Sequence, residues 1–166
     1  MQSIGPSLSQ TYPAEPTSVA KARAALSEFA AAAGATLRQV DDVRLATSEA
    51  VTNSVLHGYR GKPGSIYVTA AAVSGELWIL IADDGCGLEP SADRPGLGFG
   101  LGLISQVSDD LVIAPRAGGG TEVRMSFRLV GAQRRAGSER SLETSGPGCA
   151  GPDLARARSL VHRPSP

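Results

Sequence analysis

Little in this 166-residue chain could crosslink it, capture a metal cluster or insert it into a membrane. There are only two cysteines, Cys86 and Cys149. They have no metal-ligand spacing, and one sits in a glycine loop while the other sits in a low-complexity tail, so a disulfide is not expected and a reducing compartment fits better. Net charge is also missing. Sixteen basic residues balance sixteen acidic ones, which leaves no overall electrostatic case for nucleic-acid binding. No apolar run approaches the roughly 20 residues that span a bilayer. No basic segment followed by an apolar one opens the chain, so no secretory leader is expected. The expectation is a soluble, cytoplasmic protein. Its length suits one domain plus a tail, and its 42% hydrophobic content is ordinary for a globular chain.

What is there is unevenly spread. From Gly131 onward six arginines face three acids, so the tail carries +3 and residues 1–130 carry 0 − 3 = −3. Gly, Ser, Pro, Ala and Arg dominate that tail, with no apolar run able to bury a face. Residues 131–166 are therefore expected to be disordered, and residues 1–130 to form the folded domain.

Within the domain, Ser7 to Tyr12 alternates weakly and reads as an edge strand ending at Pro13. Glu15-Pro16-Thr17-Ser18 opens a helix that is alanine-rich from Val19 to Ala33, and Gly34 stops it. Thr36 with Gln39 three residues on is a capping-box pattern, starting a second helix that runs to about Leu56. Gly58 and Gly61-Lys62-Pro63-Gly64 force a loop. The period then changes. Ser65 to Val73 and Glu76 to Ala82 are β-rich runs joined by Ser74-Gly75, a hairpin signal. Asp83 to Gly102 is glycine-rich and reads as a long functional loop leading into a short helix. Leu111 to Ala114 and Thr121 to Leu129 form a second strand pair around Gly118-Gly119-Gly120. Val123, Met125, Phe127 and Leu129 alternate with polar residues, giving a sheet with one covered and one wet face. The fold class is an α/β two-layer sandwich, helices on one face of a mostly antiparallel mixed sheet.

The second helix carries the first chemical signal. Glu49 and Asn53 are four residues apart and so neighbours one turn apart. At about 100° per residue, Leu45 and Leu56 project within ~40° of Glu49, so this side is expected to be buried. A carboxylate that can act as a base beside an amide oxygen that can bind a hard cation suggests a catalytic Mg²⁺ site. Taken alone, the pair reads equally well as a polar stripe facing solvent.

Three glycine segments follow in order. Asp83-Asp84-Gly85-Cys86-Gly87 ends a strand. An Asp there can accept from an exocyclic amine while glycines let backbone approach a flat ring, although Asp-Gly turns are common. Gly96-Leu97-Gly98-Phe99-Gly100-Leu101-Gly102 opens a helix, and free N–H groups there suit a polyphosphate. Gly118-Gly119-Gly120-Thr121 enters the final strand and by itself is a tight hairpin.

The ordered set is more specific than any member. E-x-x-x-N on a helix, D-x-G-x-G, a G-x-G segment and G-G-T before a strand together resemble the Bergerat-type ATP fold of gyrase, MutL, histidine-kinase and heat-shock-chaperone ATPases. Ser48-Glu49-Ala50-Val51-Thr52-Asn53-Ser54-Val55-Leu56-His57-Gly58-Tyr59 is similar to the first box of the anti-sigma factor serine/threonine kinases, over residues 8–130. The resemblance implies ATP and Mg²⁺ as cofactors. It implies Glu49 as general base, Asn53 as Mg²⁺ ligand and Asp83 as acceptor for the adenine amine. Gly85 and Gly87 would shape the base pocket. Gly98, Gly100, Leu101 and Gly102 would form the lid hinge and phosphate cradle, with the Thr121 hydroxyl near the adenine. The implied partners are an anti-anti-sigma (STAS-type) protein, whose serine or threonine is phosphorylated, and a sigma factor. A homodimer is compatible with it.

Other residues read less sharply. His57 is expected to satisfy local carbonyls at a helix end. Arg94 reads equally as a lid arginine reaching phosphate charge and as a solvated loop residue. Trp78 is expected in or beside the core, and Asp84 only to solvate its loop. Two other functions stay in view: a module that binds ATP without turning it over, which would need no base, and the catalytic domain of a histidine kinase, which would need a dimerisation bundle that no preceding segment supplies.

Overall fold

The computed structural model describes residues 5–59, 62–87 and 97–130. Strand β1 (Ser7–Pro13) leads into helix α1 (Pro16–Ala32) and helix α2 (Leu37–Asn53), which continues as a π-helical turn over Ser54–Gly58. Strands β2 (Ser65–Val73) and β3 (Glu76–Asp83) follow, then helix α3 (Leu97–Val107) and strands β4 (Asp110–Pro115) and β5 (Thr121–Arg128).

The helix boundaries follow from local chemistry. Pro16 occupies the first turn of α1, where its missing N–H costs nothing. Gly34, at φ 95°, ends α1 in the left-handed conformation that glycine adopts without strain. The capping box of α2 forms as the sequence predicts. The Gln39 N–H donates to Thr36 Oγ1 at 3.3 Å, and the Thr36 N–H donates to Gln39 Oε1 at 3.1 Å. Ser74 and Gly75 both have positive φ (54° and 80°), the requirement of a tight two-residue hairpin between β2 and β3.

The strands order as β1-β2-β3-β5-β4, and all four pairings are antiparallel, so the parallel part of a mixed sheet is absent among the described strands. The three helices cover one face. Ile66, Val68, Leu77, Ile79, Ile81, Val123, Met125 and Phe127 point into the core and meet Ala22, Leu26 and Ala30 of α1, Val43, Ala46, Ala50 and Val51 of α2, and Ile104 of α3. Trp78, expected in or beside the core, instead lies on the open face, because β3 alternates and Leu77 and Ile79 take the inward positions.

The expected burial around Glu49 is also revised. Leu45 and Leu56 are 37% and 62% exposed. The stripe that α2 buries is Val43, Ala46, Thr47, Ala50 and Val51, the i, i+3, i+4, i+7, i+8 pattern of one helix face. Small residues dominate it, so α2 sits close to the core and its leucines fall on the far shoulder. Glu49 and Asn53 lie on the flank between, each half-buried.

Leu26→Ala or Ile79→Ala should cost about 2–5 kcal/mol, the usual range for core truncation. Leu37→Ser, at a position 87% exposed, should stay within about 0.5 kcal/mol. Urea midpoints at constant m-value test the contrast.

Candidate functional site

The site is organised around α2 and the π turn that extends it. One-turn π segments often mark functional positions because they re-aim the residues that follow. Here Asn53 closes the regular helix and Ser54 opens the π turn, so consecutive side chains serve two different clusters.

The first cluster is built on Asp83, at the end of β3. Its carboxylate is 3% exposed, a burial that requires donors. Ser54 Oγ donates to Oδ2 at 2.9 Å, and the N–H groups of Gly85 and Thr121 donate to Oδ1 at 3.1 and 3.2 Å. Three backbone segments close around it. A Cβ at Gly85 would lie 2.0 Å from the Gly58 carbonyl oxygen, and one at Gly120 would lie 2.0 Å from the Asp83 carbonyl oxygen. The Cys86 N–H donates to the Gly58 carbonyl at 2.7 Å. Gly118, Gly119 and Gly120 all have positive φ, as does Gly87 at 76°, so the glycines here are a steric requirement.

The second cluster is Glu49, Asn53 and Gly100. A Cβ at Gly100 would stand 2.6 Å from Glu49 Oε2 and 3.5 Å from Asn53 Nδ2, so α3 packs over the flank that carries the pair. Asn53 Nδ2 is buried without a hydrogen-bond partner among the described residues. A buried amide left unsatisfied is costly, and it fits a position completed by a ligand. Among the described residues no three His, Cys, Asp or Glu side chains gather to hold an ion. The Glu49 carboxylate and the Asn53 amide oxygen, at the other end of that amide, are the kind of oxygen donors that could hold a hard cation such as Mg²⁺.

The structure thus gathers Glu49, Asn53 and Gly100 on one side and Asp83, Gly85, Gly87 and Thr121 on the other. The Thr121 main-chain N–H reaches Asp83 directly. Gly102 has nothing within 4 Å of its Cβ position, which opens onto free space. Leu101 packs its half-buried side chain against the core, so any ligand contact from it must come from the main chain. Gly98 lies within α3. Arg94, Gly96, Cys149 and the tail from 131 to 166 lie outside the described residues.

Several residues escaped the sequence reading. Ser54 holds Asp83. Tyr59 donates to the Asp84 carboxylate, which also accepts from the Tyr67 hydroxyl at 3.3 Å, so Asp84 does more than solvate its loop. Burial first, and the Asp84 hydrogen bond next, push the Tyr59 phenol up to about 12, which keeps it protonated across the neutral range. The Tyr59 hydrogen bond holds Asp84 below the ordinary carboxylate range. Its folded value is thus depressed, and the stabilisation is present above that range and lost as pH falls through it. Arg116 stacks over the Tyr67 ring at 5.2 Å and donates to the Asp83 carbonyl at 3.1 Å. Only the tyrosines' place beside Gly58 and in β2 hinted at this, and no local pattern marks it.

Comparison with known proteins gives the family. A profile of the histidine kinase-like ATPase domain matches residues 12–127, and the chain belongs to that family. Its place within the family is with the anti-sigma factors. It is 33% identical to the anti-sigma F factor of Clostridium acetobutylicum, with 65% of this chain and 83% of that protein aligned. It is 36% identical to the anti-sigma F factor of Clostridium botulinum, with 65% and 84% aligned. A solved structure of the RsbU and RsbW domains of a Mycobacterium tuberculosis protein superposes with a TM-score of 0.61 at 29% identity, covering 75% of this chain and 32% of that one.

Gly85→Ala should destabilise the fold by about 1–3 kcal/mol, because the added methyl meets backbone that cannot turn aside. Gly102→Ala, in open space on a helix, should stabilise by about 0.5–1 kcal/mol. Thermal unfolding of the two variants checks that contrast.

Proposed function

We propose that this protein is an ATP-dependent serine/threonine kinase and anti-sigma factor, which phosphorylates an anti-anti-sigma (STAS-type) protein and sequesters a sigma factor. The observation that carries the reading is the pairing of Glu49 and Asn53 under Gly100, with the next residue, Ser54, fastened to Asp83. A base, a cation ligand and a base-recognising carboxylate are thereby joined through one helix. The anti-sigma F factors among its relatives support the choice of partner class.

In this reading Asp83 accepts the adenine amine, with its own position set by three donors. Gly85 and Gly87 admit the flat ring against main chain. Asn53 offers its amide oxygen to Mg²⁺. The main chain around Gly98, Gly100 and Gly102 faces the phosphates. MgATP supplies the phosphoryl donor and the charge that neutralises its oxygens. Glu49 orients the partner's hydroxyl and takes its proton. Phosphoryl transfer asks mainly for positioning and charge stabilisation, and a half-buried carboxylate on a rigid helix meets that demand.

Glu49→Gln keeps shape and hydrogen bonding but cannot take a proton. It should retain ATP binding and lose on the order of 10²-fold or more in transfer rate. Asn53→Ala should instead lose Mg²⁺-dependent nucleotide affinity. Single-turnover transfer to candidate partner domains, with phosphosite mapping and calorimetric ATP affinity, separates the two. Wild-type transfer by Glu49→Gln would overturn Glu49 as the base, and absence of transfer by the wild-type protein would leave a binding switch in place of a kinase.

Residues beyond Val130 are proposed to be dispensable for the domain. A chain ending at Val130 should keep its unfolding midpoint and ATP affinity, and loss of either in scanning calorimetry or titration would contradict that.

A further inference from the structure

Tyr59 lies just past the π turn and is 7% exposed. Its ring fills the space that a side chain at Gly64 would need, since a Cβ there would fall 1.9 Å from a ring carbon. The ring is therefore locked between the end of the π turn and the start of β2. Its hydroxyl accepts from the main-chain N–H of Ser65 and of Asp84, each at 3.0 Å, while its single proton lies within reach of both the Ser65 carbonyl and the Asp84 carboxylate.

The Asp84 N–H belongs to the peptide group whose carbonyl is that of Asp83. That carbonyl accepts from the Arg116 guanidinium at 3.1 Å, and Arg116 in turn rests on the Tyr67 ring. One peptide plane is thus gripped at its N–H by Tyr59 and at its C=O by Arg116. A peptide plane held at both ends limits rotation about the bonds that aim the preceding side chain. The preceding side chain is Asp83.

We propose that Tyr59 is a positioning residue for the base-recognising end of the site: by holding the Asp83–Asp84 peptide it aims the Asp83 carboxylate and so sets the preference for adenine. Arg116 does the same from the opposite end of that peptide. The inference rests on the nucleotide reading given above. Neither residue acts on the transferred phosphate.

The test is the affinity of the full chain for ATP and for GTP, each with Mg²⁺, in Tyr59→Phe and Arg116→Met. Adenine presents an amine where guanine presents a carbonyl, so only the ATP value depends on how well Asp83 is aimed. Tyr59→Phe should weaken ATP by about tenfold, the equivalent of one well-placed hydrogen bond. GTP should change by less than about twofold, so the ATP-over-GTP preference falls, and the transfer rate at saturating ATP should stay near wild type. A general loosening of the domain would weaken both nucleotides together, and that result overturns the proposal. So does an unchanged ATP affinity in a folded variant. Should Tyr59→Phe fail to unfold cooperatively, Arg116→Met asks the same question from the other end, with the same two outcomes. Wild-type protein that binds no ATP would be seen before any variant is made and would count against the nucleotide reading itself.

Discussion

A buried carboxylate must be answered by donors, and the answer given to Asp83 organises the molecule's functional half. Its three donors come from the π turn, from its own loop and from the first residue of β5. These segments are brought together only when the sheet closes and α2 lies on it. Removing the Asp83 side chain would leave the Ser54 hydroxyl and the N–H groups of Gly85 and Thr121 without their acceptor at once. The glycines at 58, 85 and 120 serve the same end, because three main chains can converge on one side chain only where no Cβ intervenes.

The second half of the site depends on this first one through the chain itself. Asn53 and Ser54 are adjacent, so fastening Ser54 to Asp83 fixes where α2 ends and which way Asn53 and Glu49 face. Helix α3 then completes the arrangement by laying Gly100 against that flank. The small residues of the buried stripe on α2 let the helix settle close to the sheet. A bulkier stripe would lift Glu49 and Asn53 away from Asp83 and separate the two clusters.

Stabilising and functional demands conflict at few places, and those are informative. The unpartnered Asn53 amide nitrogen and the unpartnered Thr47 hydroxyl are the two buried side-chain polar groups without a hydrogen bond among the described residues. Thr47 faces the core, and the structure offers no reason for its hydroxyl. Asn53 lies at the site, where an unsatisfied amide in the free protein is consistent with one completed on binding.

How far the sequence could be read follows from the range of the forces involved. Helix caps, the Ser74-Gly75 hairpin, the alternation of β5 and the stop at Gly34 depend on sterics and hydrogen bonds within a few residues, and all were legible. So was the order of the boxes, since each is a short local pattern, and the resemblance they carry led to the family that comparison shows. The burial of Leu45 and Leu56 was misread because periodicity finds the faces of a helix but not which face meets the sheet. Trp78 was misplaced for the same reason, strand parity being settled by the neighbours in β3. Ser54, Tyr59, Asp84 and Arg116 were invisible, because their partners lie tens of residues away: Ser54 and Asp83 are 29 apart, and Asp83 and Thr121 are 38 apart. The sequence by itself determined the elements and the chemical inventory of the site. Only the tertiary structure decided which donors answer Asp83 and which side of α2 is covered, because desolvation is a property of the closed fold and not of any segment.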